Sequence, residues 1–194
     1  MRGDREPSSE EKPWRLFVAV DVPEAVRSRL AQELEALREA RPELRWSPPE
    51  NWHVTLKFLG AVRPHLLGDA GHAIGEAAAR TDRFDTCLLG ADAFPSARRA
   101  RVLWVGMLDP DERFGALARA LDRALERIVK PEERPFTPHL TVARAKQALP
   151  LGKELAAVAG VRSKPFPVDH VTLYRSHLRR PAPLYEPVER YPLG

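Results

Sequence analysis

The chain has 194 residues, 43% of them hydrophobic and 30% charged, enough for one compact domain or two small lobes sharing a cleft. No apolar run approaches the roughly 20 residues that span a bilayer, and the polar opening from Met1 to Pro13 reads as a disordered tail rather than a signal peptide. The net charge of +4, carried mostly by arginine, suits phosphate contacts without identifying a ligand, and a lone Cys87 excludes an internal disulfide and fits a reducing cytoplasm.

Order is expected from residue 14 to residue 194. Arg15 to Val22 is rich in β-formers and stops at Pro23, which predicts a buried strand. Val26, Leu30, Leu34 and Leu37 then recur at helical spacing up to Ala40, with Pro23 suited to the first turn. Pro42, Pro48 and Pro49 break the chain before a strand from His53 to Leu59, ended by Gly60. A weaker Ala-rich helix is expected from Pro64 to Arg80 and a strand from Phe84 to Ala91. Arg101 to Leu108 is another strand, and Asp109 with Glu112 has the pattern of a capping box. Phe114, Leu117, Leu121, Leu125 and Ile128 line the helix that follows. After Pro131, Pro135 and Pro138 comes a strand from His139 to Ala143, then a short helix near Pro150 and strands at Phe166 to Arg175 and Leu184 to Val188.

The two halves repeat each other. Arg15 stands 38 residues before His53 and Arg101 the same 38 before His139, and a proline stands four residues before each histidine. The unit strand, helix, proline turn and His-x-Thr strand thus occurs twice, offset by 86 residues. Two units are too few for a solenoid, so a pseudo-twofold pair of lobes is expected, with equivalent strands meeting at a central cleft.

Residues two apart on a strand share a face. His53 therefore points with Thr55 and His139 with Thr141, while Val54, Leu56, Phe58, Leu140 and Val142 turn to apolar packing. Two imidazoles with pKa values near 6.5 can divide the work of acid and base, and two hydroxyls can hold the oxygens of a phosphate, as cyclic phosphodiester hydrolysis requires. No metal or other cofactor enters this scheme. A third match, His170-Val171-Thr172, lies outside the repeated unit and reads as structural or solvent-facing, while His65, His72 and His177 have no local pattern. No Cys/His cluster of metal-ligand spacing and no glycine-rich phosphate loop is present in the sequence. The residues alone leave open which histidine is acid and which is base.

Arg15-Leu-Phe-Val-Ala-Val20, Trp52-His-Val-Thr-Leu-Lys-Phe-Leu-Gly60, Val102-Leu-Trp-Val-Gly106, Phe136-Thr-Pro-His-Leu-Thr-Val-Ala-Arg144 and Val171-Thr-Leu-Tyr-Arg-Ser176 run in one order along the chain. In these segments the sequence resembles the 2H phosphoesterase superfamily, and within it the RNA 2′,3′-cyclic phosphodiesterase branch historically called 2′-5′ RNA ligase. The resemblance implies a bilobal α+β fold, with antiparallel sheets around the cleft and helices outside. It implies opening of RNA 2′,3′-cyclic phosphates to 2′-phosphomonoesters, with His53 as proton donor and His139 as proton acceptor. Thr55 and Thr141 carry over as phosphate-binding hydroxyls, and Arg144 as a further contact to the substrate phosphate. An unbroken strand would turn Arg144 away from His139, so this role requires the strand to end or bulge near Ala143. The expected partner is RNA with a 2′,3′-cyclic phosphate end, or a related nucleotide, met by a cytoplasmic monomer with no membrane contact. Phe17 and Trp104 could stack on a base, but strand aromatics are more often core and they are left out of the site; Arg98, Arg99 and Arg101 form a basic run that is as readily a solvated loop as an RNA guide.

Overall fold

The computed structural model describes residues 12–180 and 182–194. All but Lys12 and Pro13 of the expected N-terminal tail thus lie outside the described residues. Strand β1 (Trp14–Asp21) is covered on both faces, which is why its Leu, Phe, Val and Ala run lacks alternation. Pro23 precedes α1 (Glu24–Ala40), which buries Leu30, Leu34 and Leu37 as their spacing predicts. The two-residue β2 (Arg45–Trp46) and a single 3-10 turn at Pro49–Asn51 lead into β3 (His53–Val62). Then follow α2 (Leu67–Ala79), β4 (Phe84–Thr86), β5 (Leu88–Phe94), β6 (Ala100–Met107) and α3 (Arg113–Ala124). The chain closes with β7 (His139–Leu149), α4 (Gly152–Ala157), β8 (Phe166–Val168), β9 (His170–His177) and β10 (Leu184–Pro192).

Among the described residues eight strands form one antiparallel sheet with the order β10-β9-β1-β3-β7-β6-β5, and β2 on the free edge of β7. Its two halves meet at a single pair, Val54 with Leu140. Those residues are equivalents in the 86-residue repeat, so the pseudo-twofold axis passes between them. The separate ribbon β4-β8 joins the two repeats again, Phe84–Thr86 against Phe166–Val168. The halves are interlocked: β5, which closes the first repeat, bonds to β6, and β9, which closes the second, bonds to β1. Each lobe takes a strand from the other repeat. The α+β class and the duplicated, bilobal arrangement are as expected, with α1, α2 and α3 packed into one core against the face opposite the histidines.

Several boundaries differ from the sequence expectation for identifiable reasons. Gly60 does not end β3; it sits at φ +67 where Leu16 pairs with Gly60 and Phe17 with Phe58, a bulge that the strand continues past to Val62. The strand expected over Phe84 to Ala91 is two strands, because the segments on either side of Cys87 pair with different partners. The capping box does not form. Glu112 adopts φ 55 ahead of α3, and Asp109 caps from farther back, accepting the Phe114 N–H at 2.7 Å. The repeat is also one residue out in the first strand: Ala19 pairs with Thr55 while Trp104 pairs with Thr141, so the counterpart of Arg101 is Leu16, not Arg15.

Candidate active site

The two His-x-Thr strands carry the same irregularity at the same place. Ala19 pairs with Thr55 but Val18 with Lys57, which leaves Leu56 as an extra residue in β3. Trp104 pairs with Thr141 but Leu103 with Ala143, which leaves Val142 as the extra residue in β7. A bulge of this kind reverses which face later residues take. Lys57 and Ala143 therefore turn into the core, 4% and 0% exposed, and Phe58 and Arg144 turn to the histidine face. This corrects the expectation that Phe58 packs inward; it is 63% exposed. The same device satisfies the condition set for Arg144. Its charge acts on both His139 and Tyr185.

Continuing the antiparallel pairing outward from Val54 and Leu140 sets His53 across from Thr141 and Thr55 across from His139. All four side chains leave the sheet on the uncovered face. Each imidazole is held alike: Nδ1 of His53 donates to the Asn51 carbonyl at 2.8 Å, and Nδ1 of His139 to the Thr137 carbonyl at 2.7 Å. With Nδ1 so engaged, Nε2 of the neutral ring is an acceptor facing the cleft. The Thr55 hydroxyl donates to Nε2 of His53 at 3.1 Å. Asn51 and Thr137 stand 86 residues apart, so the repeat duplicates the support as well as the histidines.

The surroundings are not duplicated. His53 stacks on Phe17 with ring centroids 4.8 Å apart and meets Tyr185 edge-on at 5.2 Å, while Tyr174 stacks with Phe17 at 5.2 Å and lies 6.1 Å from His53. Burial lowers its pKa to about 4, opposed by the Asn51 hydrogen bond and by the Asp21 carboxylate, with the charge of His139 acting in the same sense as burial. His139 meets Trp104 and Phe94 edge-on at 5.8 and 5.1 Å. Burial lowers its pKa too, opposed by the Thr137 carbonyl and reinforced by Arg144.

Of these aromatics the sequence offers only Phe17 and Trp104, as residues that could stack on a base but are more often core; Phe94, Tyr174 and Tyr185 are not singled out by it. Phe17 and Trp104 do lie in strands, but on the histidine face rather than in the helix-covered core. Tyr174 and Tyr185 come from β9 and β10, and only the cross-strand pairing of Phe17 with Tyr174 brings the first of them to the site. His170 lies between two carboxylates, with Nδ1 2.5 Å from Asp169 Oδ1. Its Nε2 lies 3.1 Å from Asp21 Oδ2, and the same carboxylate accepts the Thr172 hydroxyl at 2.9 Å and the Tyr174 hydroxyl at 2.5 Å. These bonds hold the Asp21 pKa below its ordinary value, against the opposing effect of burial.

A profile of the 2′-5′ RNA ligase superfamily matches residues 22–180. The chain belongs to that superfamily. It is 32% identical over 182 residues to the RNA 2′,3′-cyclic phosphodiesterase of Methanothermobacter thermautotrophicus, covering 92% of this chain and 98% of the relative. The protein of that name from Thermus thermophilus is 34% identical over 189 residues, with 92% and 90% covered. Among solved structures, TT0787 of Thermus thermophilus superposes with a TM-score of 0.76 at 31% identity, over 92% of this chain and 97% of its own. E. coli LigT complexed with 3′-AMP superposes at 0.73 and 29% identity, over 93% and 98%. Among the described residues of this superfamily member, no three His, Cys, Asp or Glu side chains are grouped as a metal site, and no helix is long and apolar enough to cross a membrane.

Proposed function

We propose that this chain hydrolyses 2′,3′-cyclic phosphodiester ends of RNA to 2′-phosphomonoesters, using His53 and His139 as acid and base with no metal ion. The observation that carries the reading is the matched pair of Nε2 atoms, each freed by a Nδ1 bond to backbone and both on one face beside the bridge that joins the lobes. The names of the relatives supply the substrate class.

Nε2 of His139 takes a proton from water as the water oxygen bonds to phosphorus. The bond from phosphorus to O3′ breaks, and His53 Nε2–H delivers a proton to that oxygen. Thr55, Thr141 and Arg144 donate to the non-bridging oxygens, where charge grows in the transition state. The charges around the two rings favour this division of roles. Asp21 stabilises a cation on His53, and Arg144 disfavours one on His139. His53 is neutral at pH 7 in the free chain, and an incoming phosphate anion favours its protonation. Once Nε2 carries the proton, Thr55 no longer donates to it and its hydroxyl is free for the phosphate.

Incubation with an oligonucleotide ending in a 2′,3′-cyclic phosphate, in EDTA, tests the proposal. The expected product ends in a 2′-phosphate. A 3′-phosphate product, or turnover only after metal is added back, would overturn it. Both histidines belong to one chain, which supports action as a monomer, and the free, buried Cys87 fits a reducing cytoplasm.

A further inference from the structure

Beyond the single bridge to β3, the edge of β7 is taken over by β2. Ser47 N–H bonds to the Val142 carbonyl at 2.8 Å, Trp46 pairs with Ala143 and Arg45 with Arg144. Directly paired residues share a face, and Ala143 with Leu103 marks the core face here, so Arg45 emerges beside Arg144 on the side of His139 and Thr141. Across the sheet the row reads Phe94, Val102, Arg144, Arg45.

Two arginines in direct cross-strand opposition repel each other, which costs stability unless an anion lies between them. No carboxylate does so among the described residues; the nearby Glu43 and Glu154 are both engaged by Arg41. Arg45 is exposed. Among the described residues the other lobe has no such cross-strand arginine pair. The position equivalent to Arg144 holds Phe58 packed near Phe17 at 6.1 Å, and among the described residues no strand like β2 flanks β3. Aromatic rings therefore stand on both sides of the cleft, and the His139 side adds a pair of guanidinium groups.

We propose that Arg45 is a specificity-determining residue that binds the phosphodiester next to the reacting end, so that the enzyme favours an RNA chain over a cyclic mononucleotide. Arg144 serves the reacting phosphate, and Arg45, one strand farther out, meets the next charge along the backbone. Guanidinium forks suit phosphate oxygens, and the arrangement needs only that the chain leave the site across β2. The inference rests on the hydrolytic reading of the site.

The test compares kcat/KM for a nucleoside 2′,3′-cyclic monophosphate and for a trinucleotide with the same cyclic end, in the wild type, Arg45→Ala and, as an exposed control just past the C-terminus of α2, Arg80→Ala. Arg45→Ala is expected to lower the trinucleotide value about tenfold or more, with no more than a twofold change for the mononucleotide. The salt dependence of trinucleotide binding should lose about 0.7 from its log–log slope, one phosphate contact on a single strand. Arg80→Ala should match the wild type on both. An equal loss on both substrates, or none on either, would overturn the proposal. Equilibrium binding of a 2′-phosphate-ended trinucleotide and its mononucleotide counterpart separates this from failure of the hydrolytic reading. If the wild type turns over neither substrate but Arg45→Ala still weakens trinucleotide binding alone, the reaction is wrong and the role of Arg45 stands; if binding too is indifferent to Arg45, the role falls.

Discussion

The His53 strand and the His139 strand share a backbone and a motif and differ in what surrounds it. Both have a carbonyl behind Nδ1 and a bulge directly after the motif threonine, at Leu56 and at Val142. The bulges turn Phe58 outward in one lobe and Arg144 in the other, and bury Lys57 in one and Ala143 in the other. Opposite His53 on the neighbouring strand stands Asp21, while opposite His139 stands Gly106, where a Cβ would lie 2.6 Å from the Leu89 carbonyl oxygen. A carboxylate can therefore stand beside one imidazole and no side chain can stand in that place beside the other. Duplication supplies two matched imidazoles; divergence around them gives each a different reason to hold or release a proton.

The largest expected effect comes from removing either half of the pair. His53→Ala and His139→Ala should each lower kcat by about 10²–10⁴-fold on a cyclic-phosphate oligonucleotide, and the double variant should be little worse than the poorer single one. His170→Ala should leave most of the activity, and a loss equal to that of His53 would break the division into motif and structural histidines.

Lys57 is the next point of contrast. Its ammonium is buried on the core side of β3 and paired with Asp122 of α3 and the Lys130 carbonyl. Lys57→Ala strands Asp122 beside the core and is expected to destabilise the fold by about 3 kcal/mol. Thermal or denaturant unfolding would check this, and an unchanged midpoint would show that the pair contributes nothing. Arg144→Ala should instead leave stability intact and lower kcat/KM by roughly 10–100-fold, the loss of a charge-assisted contact worth about 1.5–3 kcal/mol. Phe58→Ala at the equivalent place should not reproduce it.

The pH dependence follows from the lowered histidine pKa values. With one ring required charged and the other neutral, kcat/KM should be bell-shaped with its optimum on the acid side of the ordinary imidazole value of about 6.5. Bound phosphate favours the cation, so the falling limb of kcat should lie at higher pH than that of kcat/KM. Burial lowers His53 further than His139, so the acid-side limb of kcat/KM reports His53. Asp21→Asn removes a neighbour that supports the His53 cation, so that limb should move to lower pH and the maximum should fall; a move the other way would refute that role. Stability obeys the same linkage. His53 titrates at about 4 when folded, so its contribution is present above the unfolded value of about 6.5 and is lost as pH falls from there toward 4. The smallest effect belongs to Gly60. At φ +67, with open space where a methyl group would stand, Gly60→Ala should cost about 1–2 kcal/mol from backbone strain alone, read as a modest drop in unfolding midpoint.

Much of the site was legible in linear form because a duplicated motif is a statement about spacing. His53, His139, Thr55 and Thr141 could be grouped on paper, since alternation within a strand is a local property and the repeat predicts where the axis must run. Arg144 was legible only as a condition. Alternation placed it on the wrong face, and whether a bulge corrects that depends on how β7 pairs with β6. Phe58 and Lys57 were misread or passed over for the same reason, because the bulge at Leu56 exchanges their faces. Phe17, Tyr174 and Tyr185 carry no signal of proximity, being drawn from strands some 160 residues apart in the chain.

The α+β class was implied by the family resemblance; the sequence by itself determined the duplicated unit, the buried faces of α1 and α3, and the grouping of the two motif histidines as a pair. These follow from hydrophobic periodicity and spacing, which act over a few residues and repeat. Only the tertiary structure decided how the repeats exchange β5 and β9, which residues the bulges turn toward the cleft, and which charges stand beside each ring. Cross-strand pairing sets all three. It joins residues far apart in the chain, and a slip of one residue reverses every side chain it carries.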